Sequence, residues 1–318
     1  MRRQAFVVDA PGLRLDQFLA RKLPGYARGH LKDMVERGAV SVDGAARAPD
    51  YRVCAGQHVS VRFEDSSWAD LPFEKWILGE DADLIALHKP AGILMHPMGE
   101  SWTAKPEAAL ADAEANVAGL MIKNRPQALA AGVSRCGLVH RLDRQTSGVV
   151  LLAKKPEAQE RLQTAFRERE VRKIYRAIVL GEIAKTKVDA PIGREPGNRR
   201  VQVTPWGREA STEFSCVEST KGLSLVQAEP KTGRTHQIRA HLALLKHPVI
   251  GDPDWFKEPE RERLASLGIS SPPRMLLHAY KITFAHPRTG RETSYTAPLP
   301  SDFKSYWQAA AKPPKKKR

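Results

Sequence analysis

With 318 residues the chain can hold one large domain or two unequal ones, with room for a sizeable core. It carries 51 Lys and Arg against 36 Asp and Glu, a net charge of +15 to which the closing KPPKKKR contributes five cations, and a surplus of that size favours a polyanionic partner. Nowhere do about 18 apolar residues run together, and the apolar run after Arg2 and Arg3 is too short for a signal peptide. The expectation is a soluble, cytoplasmic protein without a membrane partner. Cys54, Cys136 and Cys216 are scattered, with no CxxC pair and no histidine spacing that closes a zinc site, so reduced, buried thiols are expected.

In chain order, Leu15, Phe18, Leu19 and Leu23 fall at helical spacing, and Leu31, Met34 and Val35 repeat the pattern before Gly38 stops it. Val40 and Val42 then alternate toward a turn at Asp43 and Gly44, and HVSVRF alternates again, which predicts a small sheet beneath two helices. Arg28, Lys32 and Arg37 sit on or beside the second helix, away from its apolar positions. Residues 64–76 are polar and aromatic without periodicity and read as a linker. DLIALHKPAGILMHP (83–97) reads as strand, Pro-Gly turn and a second apolar piece. The Ala-rich stretch 98–137 predicts two helical pieces separated by Pro126.

LVHRLDRQTSGVVLLAK (138–154) places Asp143, flanked by Arg141 and Arg144, between two apolar runs that both read as strand. PEAQERLQTAFRER (156–169) is an amphipathic helix opened by proline, and VRKIYRAIVLGEI (171–183) alternates as a strand. Two alternating runs in 211–230 meet at Lys221-Gly222 as a hairpin. TGRTHQIRAHLALL (232–245) opens a helix with Ile238, Leu242 and Leu245 on one buried face, and 276–297 forms another hairpin around PRTG. Strands outnumber the helices that could cross between them. The fold class is therefore α+β, a mixed and largely antiparallel sheet with flanking helices, preceded by a small α/β unit. The expected division is 1–63, a linker at 64–76, a main domain at 77–305 and a basic tail at 306–318.

Asp143 interrupts what reads as core, and a carboxylate there needs a cation. Arg141 and Arg144 are its neighbours, but on a strand ending in a turn sequence neighbours point away from each other. Arg234 is the better partner: it stands at the start of a helix, where a cation opposes the dipole by about 0.3 to 1 kcal/mol. A guanidinium fork would fix Asp143 in orientation, as a nucleophilic carboxylate requires. A purely structural bridge is the competing reading. His236 and His241 do not share a helix face, and His88, His96, His140, His247, His278 and His286 read as hydrogen-bonded structural groups, so no metal is assigned. No GxGxxG or GxxxxGK[ST] pattern occurs, so no nucleotide cofactor is indicated.

RGHLKDMVERGAVSVDG (28–44) resembles the S4-type RNA-binding domain, whose second helix and following turn hold RNA backbone. The resemblance implies that Arg28, Lys32 and Arg37 bind RNA. HRLDRQTSGVVLLAK (140–154) in turn resembles the signature of the RluA-type pseudouridine synthases. Around it stand, in that family's order, HKPAGILMHP (88–97), RKIYRAIVLG (172–181), TGRTHQIRAHL (232–242), HPVIGDP (247–253) and LLHAYKITFAHP (276–287). The resemblance extends over about 84–300 and implies the pseudouridine synthase fold for residues 77–305. It makes Asp143 the nucleophile, Tyr175 the aromatic residue against the target base, Arg234 the partner of the carboxylate, and Arg141 the side chain that enters RNA where the base leaves. It further implies an isomerase acting on uridines of RNA, most readily large-subunit ribosomal RNA, without a cofactor. Nothing calls for an oligomer, so a monomer is expected. The competing readings are a non-catalytic RNA-binding or ribosome-assembly protein, a synthase acting on transfer RNA, and a hydrolase with paired carboxylates, for which no second acid stands in a comparable motif.

Overall fold

The computed structural model describes residues 2–23, 26, 28–63, 70–97, 101–104, 106–110, 112, 114–195, 197 and 200–311. These fall into two compact units. The first comprises Met1–Lys75, Ile93–Leu138 and Leu152–Gln159, and the second Trp76–Gly92, Val139–Leu151 and Glu160–Arg318.

In the first unit, strand β1 (Arg2–Val7) precedes helices α1 (Leu15–Lys22) and α2 (Arg28–Glu36), followed by β2 (Val40–Val42) and β3 (His58–Phe63). The strands form an antiparallel sheet in the order β1-β3-β2. Leu15, Phe18 and Leu19 of α1 and Leu31 and Val35 of α2 bury themselves with Val40, Val42, Val59 and Val61, the positions their spacing selects. Each fully buried aliphatic side chain contributes roughly 1.5 to 3 kcal/mol. Asp43 and Gly44 both take positive φ, 50° and 79°, which a tight turn at this point requires and which an Asp-Gly pair tolerates.

The Ala-rich stretch forms four short helices among the described residues rather than two: α3 (Ser101–Ala104), α4 (Glu107–Leu110), α5 (Val117–Asn124) and α6 (Pro126–Ala130). Pro106 precedes α4, the Asn116 side chain caps α5 by accepting from the Gly119 amide at 2.8 Å, and Pro126 opens α6. Of the expected linker, residues 64–69 lie outside the described residues, and Phe73–Trp76 is a 3-10 turn with Phe73 buried.

The second unit is built on a nine-stranded sheet. Its strands are β4 (Ile77–Glu80), β5 (Leu84–Lys89), β6 (Ser147–Ala153), β7 (Arg172–Leu180), β8 (Thr186–Asp189), β11 (Ser211–Thr220), β12 (Leu223–Pro230), β13 (Leu277–Ala285) and β14 (Glu292–Thr296), with β9 (Ile192–Gly193) and β10 (Gln202–Val203) as a separate small hairpin. The order is β4-β5-β6-β13-β7-β12-β11-β8, with β14 on β13. β13 runs parallel to β6 and antiparallel to β7 and β14, so the sheet is mixed and largely antiparallel. The helices are α7 (Pro156–Arg167), α8 (Gln237–Leu244), α9 (Glu258–Ser266) and α10 (Ser301–Ala311).

Two-residue alternation along β7 sorts its side chains between the faces. Ala177 and Val179 pack with Ile238 and Leu242 of α8, whereas Ile178 and Leu180 pack with Phe256, Leu264 of α9 and Phe303 and Trp307 of α10. Residues 306–311, expected in the tail, therefore belong to a helix whose Trp307 and Ala310 are buried, and 312–318 lie outside the described residues. The apolar run before Asp143 is not a strand: Leu138 makes one isolated bridge to Leu152, and strand begins only at Ser147. Of the thiols only Cys136 is buried. Cys54 lies in a surface loop, and Cys216 is turned outward where β11 bulges between Cys216 and Glu218.

The parallel crossing of β6 and β13 is tight at Gly148, which has φ 120° and would drive a Cβ into the Ala279 carbonyl. Gly148→Ala is expected to lower stability by about 3 kcal/mol or more, read from the urea midpoint, because both the strained φ and the backbone clash act together.

Candidate active site

Asp143 lies in the loop that leads into β6. Its carbonyl accepts from the Thr146 amide at 3.0 Å, closing a turn at Arg144 and Gln145. Behind this turn stands Lys89, at the end of β5 and fully buried, whose ammonium donates to the carbonyls of Pro90 at 2.9 Å and Arg144 at 3.1 Å. Burial pulls the Lys89 ammonium down to about 7, against the Asp143 carboxylate, which pulls it up. Gly92 joins the same clamp through two hydrogen bonds with Arg144, its amide to the Arg144 carbonyl at 2.8 Å and its carbonyl from the guanidinium at 3.1 Å. His140 fixes the other end of the loop: its Nε2 accepts from the Leu151 amide at 2.8 Å, and the ring stacks on Phe166 at 4.5 Å. Burial pushes the His140 imidazole down to about 3, so it serves as a neutral acceptor.

The Asp143 carboxylate is held by Arg239 of α8, whose Nη1 donates to Oδ2 at 3.1 Å. The rest of that guanidinium is occupied from behind. Nε and Nη2 grip Asp252 bidentately at 2.6 and 2.8 Å, and Nη2 also reaches Asp254 at 2.6 Å, while the group lies over the Trp255 ring at 4.9 Å. Burial works against the Arg239 charge, but hydrogen bonding and attraction from Asp252, together with Asp143, outweigh it and keep the guanidinium protonated. On the other side of the carboxylate, His236 Nε2 lies 3.8 Å from Asp143 Oδ1. His236 has left-handed backbone, φ 56° and ψ 21°, a conformation that a non-glycine residue holds at a cost of about 1 to 3 kcal/mol. Burial lowers its imidazole, with Asp143 opposing.

Tyr175 enters from β7 on the α8 face. Its partners across the sheet are the small residues Ala228 on β12 and Ala279 on β13. Burial raises the phenol above its ordinary range, and Asp143 adds to the shift, so Tyr175 is a neutral aromatic wall. Together with Asp143, Arg239, His236 and Leu277 it lines a cavity of about 430 Å³, a size that suits a small ligand or one nucleoside. Arg141, Arg167, Arg169, Lys173, Lys231 and Arg234 also line it, against Asp143 as the one carboxylate among its described lining residues. Such an arrangement admits a ring to the wall and a polyanion to the mouth.

The expected pairing of Asp143 with Arg234 is corrected by this geometry. The helix begins at Gln237, not at Arg234, and the Arg234 Nε donates to the Glu209 carbonyl at 3.0 Å while its amide donates to Gln237 Oε1 at 2.9 Å. Arg234 thus stands in the preceding turn as a cavity wall, and Arg239, inside the helix, faces the carboxylate. Arg141 is exposed at the cavity. In the first unit Arg28 grips the buried Asp16 carboxylate at 2.9 and 3.1 Å, Lys32 lies 3.5 Å from Glu36, and Arg37 is exposed. Burial raises Asp16, but the guanidiniums of Arg28 and Arg14 hold it below the ordinary carboxylate range. Sequence reasoning missed Arg239, Lys89 and Asp252. Local sequence carries no signal for Arg239, which stands between Ile238 and Ala240 where a solvent-facing side chain is expected.

Residues 83–244 match the family model described as RNA pseudouridylate synthase, and residues 13–59 match that of the S4 domain. A ribosomal large subunit pseudouridine synthase D from Nitrosomonas europaea is 36% identical over 304 residues, covering 94% of this chain and 84% of the relative. The protein of the same name from Neisseria meningitidis serogroup A is 33% identical, covering 93% and 78%. The fold is shared with human RNA Pseudouridylate Synthase Domain Containing 4, with TM-score 0.57 and 23% identity over 77% of this chain and 96% of that one. The chain belongs to the RNA pseudouridylate synthase family. It is an isomerase that converts uridine to pseudouridine in RNA, and it carries an S4 RNA-binding domain.

Proposed function

We propose that the chain isomerises specific uridines of large-subunit ribosomal RNA in the cytoplasm, with Asp143 acting at the ribosyl carbon of the target. The observation that carries the assignment of Asp143 is its carboxylate, gripped by Arg239 inside a cation-lined cavity and facing the same space as Tyr175. The names of the relatives at 33–36% identity over most of both chains support the ribosomal target. In the reaction the bond from N1 of uracil to C1′ breaks, a bond from C5 to C1′ forms, the C5 proton passes to solvent and N1 gains a proton. Nothing is consumed, so the protein's task is to extrude, orient and re-aim one base.

The target must leave its stack, which costs a few kcal/mol. Arg141 takes the vacated place in the RNA, and Tyr175 receives the base. Asp143 acts at C1′, held in line by Arg239. Arg234 contributes to the cavity wall as an RNA contact. Residues 1–63 act as the RNA-binding domain, in which Lys32, Arg37 and the exposed edge of Arg28 meet phosphate, and the catalytic domain is built on the nine-stranded sheet and runs from 77 through the end of α10 at Ala311.

The test is tritium release from transcripts labelled at C5 of uridine. Large-subunit ribosomal RNA is expected to release tritium in stoichiometric amounts at a few sites, with transfer RNA and small-subunit RNA inert. Release from transfer RNA alone would overturn the target, and no release from any RNA would overturn the assignment of activity. Deleting residues 1–63 is expected to weaken RNA binding and flatten its salt dependence, by about 0.7 to 0.9 in slope for each phosphate that the protein no longer neutralises.

A further inference from the structure

Among the described residues, four cations that line the cavity form no ion pair with a carboxylate, Arg141, Arg169, Lys173 and Arg234; Arg234 is taken up by the Glu209 carbonyl, and Lys173 and Arg169 are the two that act on one another. Lys173 lies on β7 two residues before Tyr175, on the same face and half-buried, and its ammonium finds only the Thr232 carbonyl at a long 3.4 Å. Arg169 lines the same cavity just after α7. No described carboxylate stands within ion-pair distance of either side chain, whereas the buried Arg239 and the half-buried Arg274 each hold one. Their proximity is also unfavourable in itself: burial, and then the Arg169 charge, pull the Lys173 ammonium down to about 8. A half-buried ammonium beside an exposed guanidinium, neither with a counter-ion, is stabilised when an anion arrives.

The backbone at Arg169 points the same way. The end of α7 is closed by the Glu170 amide on the Ala165 carbonyl at 2.9 Å and the Arg169 amide on the Phe166 carbonyl at 3.4 Å, with Arg169 in left-handed conformation at φ 65°. This capping position favours glycine, since a side chain there is strained. An arginine kept at such a place is held by something other than the stability of the helix end. The helix C-terminus attracts a cation, but that is satisfied equally by Arg167, two residues earlier.

We propose that Lys173 and Arg169 together bind the backbone phosphate of the uridine that enters the cavity. The inference rests on the reading of Tyr175 as the wall for the base. Lys173 is one two-residue strand step from Tyr175, about 6.7 Å along β7, which is the scale of the separation between a base and the phosphate of its own nucleotide. The phosphate is thereby pinned at the mouth while the sugar is presented to Asp143, so the pair sets the depth to which the nucleotide enters.

The experiment uses a stem-loop RNA centred on a uridine that the wild-type protein modifies in large-subunit ribosomal RNA, with a neutral methylphosphonate placed on its 5′ or its 3′ side. Single-turnover tritium release gives the half-saturating protein concentration and the maximal rate. Lys173→Met is expected to raise the half-saturating concentration about tenfold, as for one charge-assisted contact, with the maximal rate within about threefold. One methylphosphonate is expected to do the same to the wild type, and the two changes together to do little more than either alone. Additive losses at both positions would overturn the proposal. So would a loss confined to the maximal rate, which would assign the cation to the departing ring instead.

Arg169→Gly separates binding from folding. It relieves the left-handed strain, so the melting temperature should rise while RNA binding weakens several-fold; unchanged binding would count against the pair. If the unmodified stem-loop is not turned over by the wild type, the underlying reading has failed rather than this one.

Discussion

Asp143→Asn is expected to reduce the single-turnover rate by about four orders of magnitude or more, while RNA affinity changes less than about tenfold. Losses of that order follow removal of a group that acts directly on the reacting atoms, and four decades correspond to roughly 5.5 kcal/mol of barrier. Asparagine keeps the shape of the side chain and can still accept from Arg239 Nη1, now 3.1 Å from Asp143 Oδ2, so the cavity keeps its form. What disappears is the negative charge. Lys89 also feels the change, since the Asp143 carboxylate is what offsets the effect of burial on its ammonium. Fold stability should stay within about 1 kcal/mol, because the clamp of Lys89 on the Pro90 and Arg144 carbonyls is intact. Rapid-quench tritium release at saturating protein measures the rate, and filter binding measures the affinity. Turnover within tenfold of the wild type would remove Asp143 from the chemistry.

Arg239→Lys is expected to lower the same rate by about 10² to 10³-fold although the charge is retained. One guanidinium serves Asp143, Asp252 and Asp254 at once through Nη1, Nε and Nη2, and an ammonium on a flexible stem cannot reproduce that planar arrangement. Asp252 is almost fully buried, so weakening its bidentate grip should also cost about 2 to 4 kcal/mol of stability. Arg234→Ala is the informative contrast. Its Nε meets a backbone carbonyl and no carboxylate, so the maximal rate should fall less than about tenfold, with the effect concentrated in RNA binding. In a double-mutant cycle with Asp143→Asn, Arg239→Lys should add little once the carboxylate is neutral, whereas Arg234→Ala should add its full effect. The reverse pattern would restore Arg234 as the carboxylate's partner.

The contrast between these two arginines shows what local sequence can and cannot reveal. Periodicity locates α1, α2, β7 and the hairpins at Lys221-Gly222 and around Gly290, because each is decided by neighbours within a few residues. The break at Asp143 is equally visible, since a carboxylate beside GVVLLA violates its own surroundings. Its partner is not, because the local pattern puts the helix start three residues too early. With Gln237 as the first helical residue, Arg234 falls outside the helix and the dipole argument has no object. Arg239 breaks no local rule: between Ile238 and Ala240 it reads as a solvent position, although it is buried against Asp252, thirteen residues away. Lys89 is hidden for the same reason, as its acceptors include the carbonyl of Arg144, 55 residues on. Long-range pairing of charges is a property of the assembled sheet and is not written in any one window.

The convergence of three carboxylates on Arg239 has a consequence for the order in which a nucleotide goes in. Around Asp143 acids outnumber the one guanidinium they share, whereas Arg141, Arg167, Arg169 and Lys231 ring the exposed side of the same cavity. The groups a nucleotide meets therefore change along the way inward, from cations at the exposed side to the Asp143 carboxylate. A phosphate is attracted by the cations of the mouth and repelled by the Asp143 carboxylate, whereas an uncharged pyrimidine meets neither effect. Base-first entry leaves the phosphate among the mouth cations and brings the uncharged end of the nucleotide to Asp143.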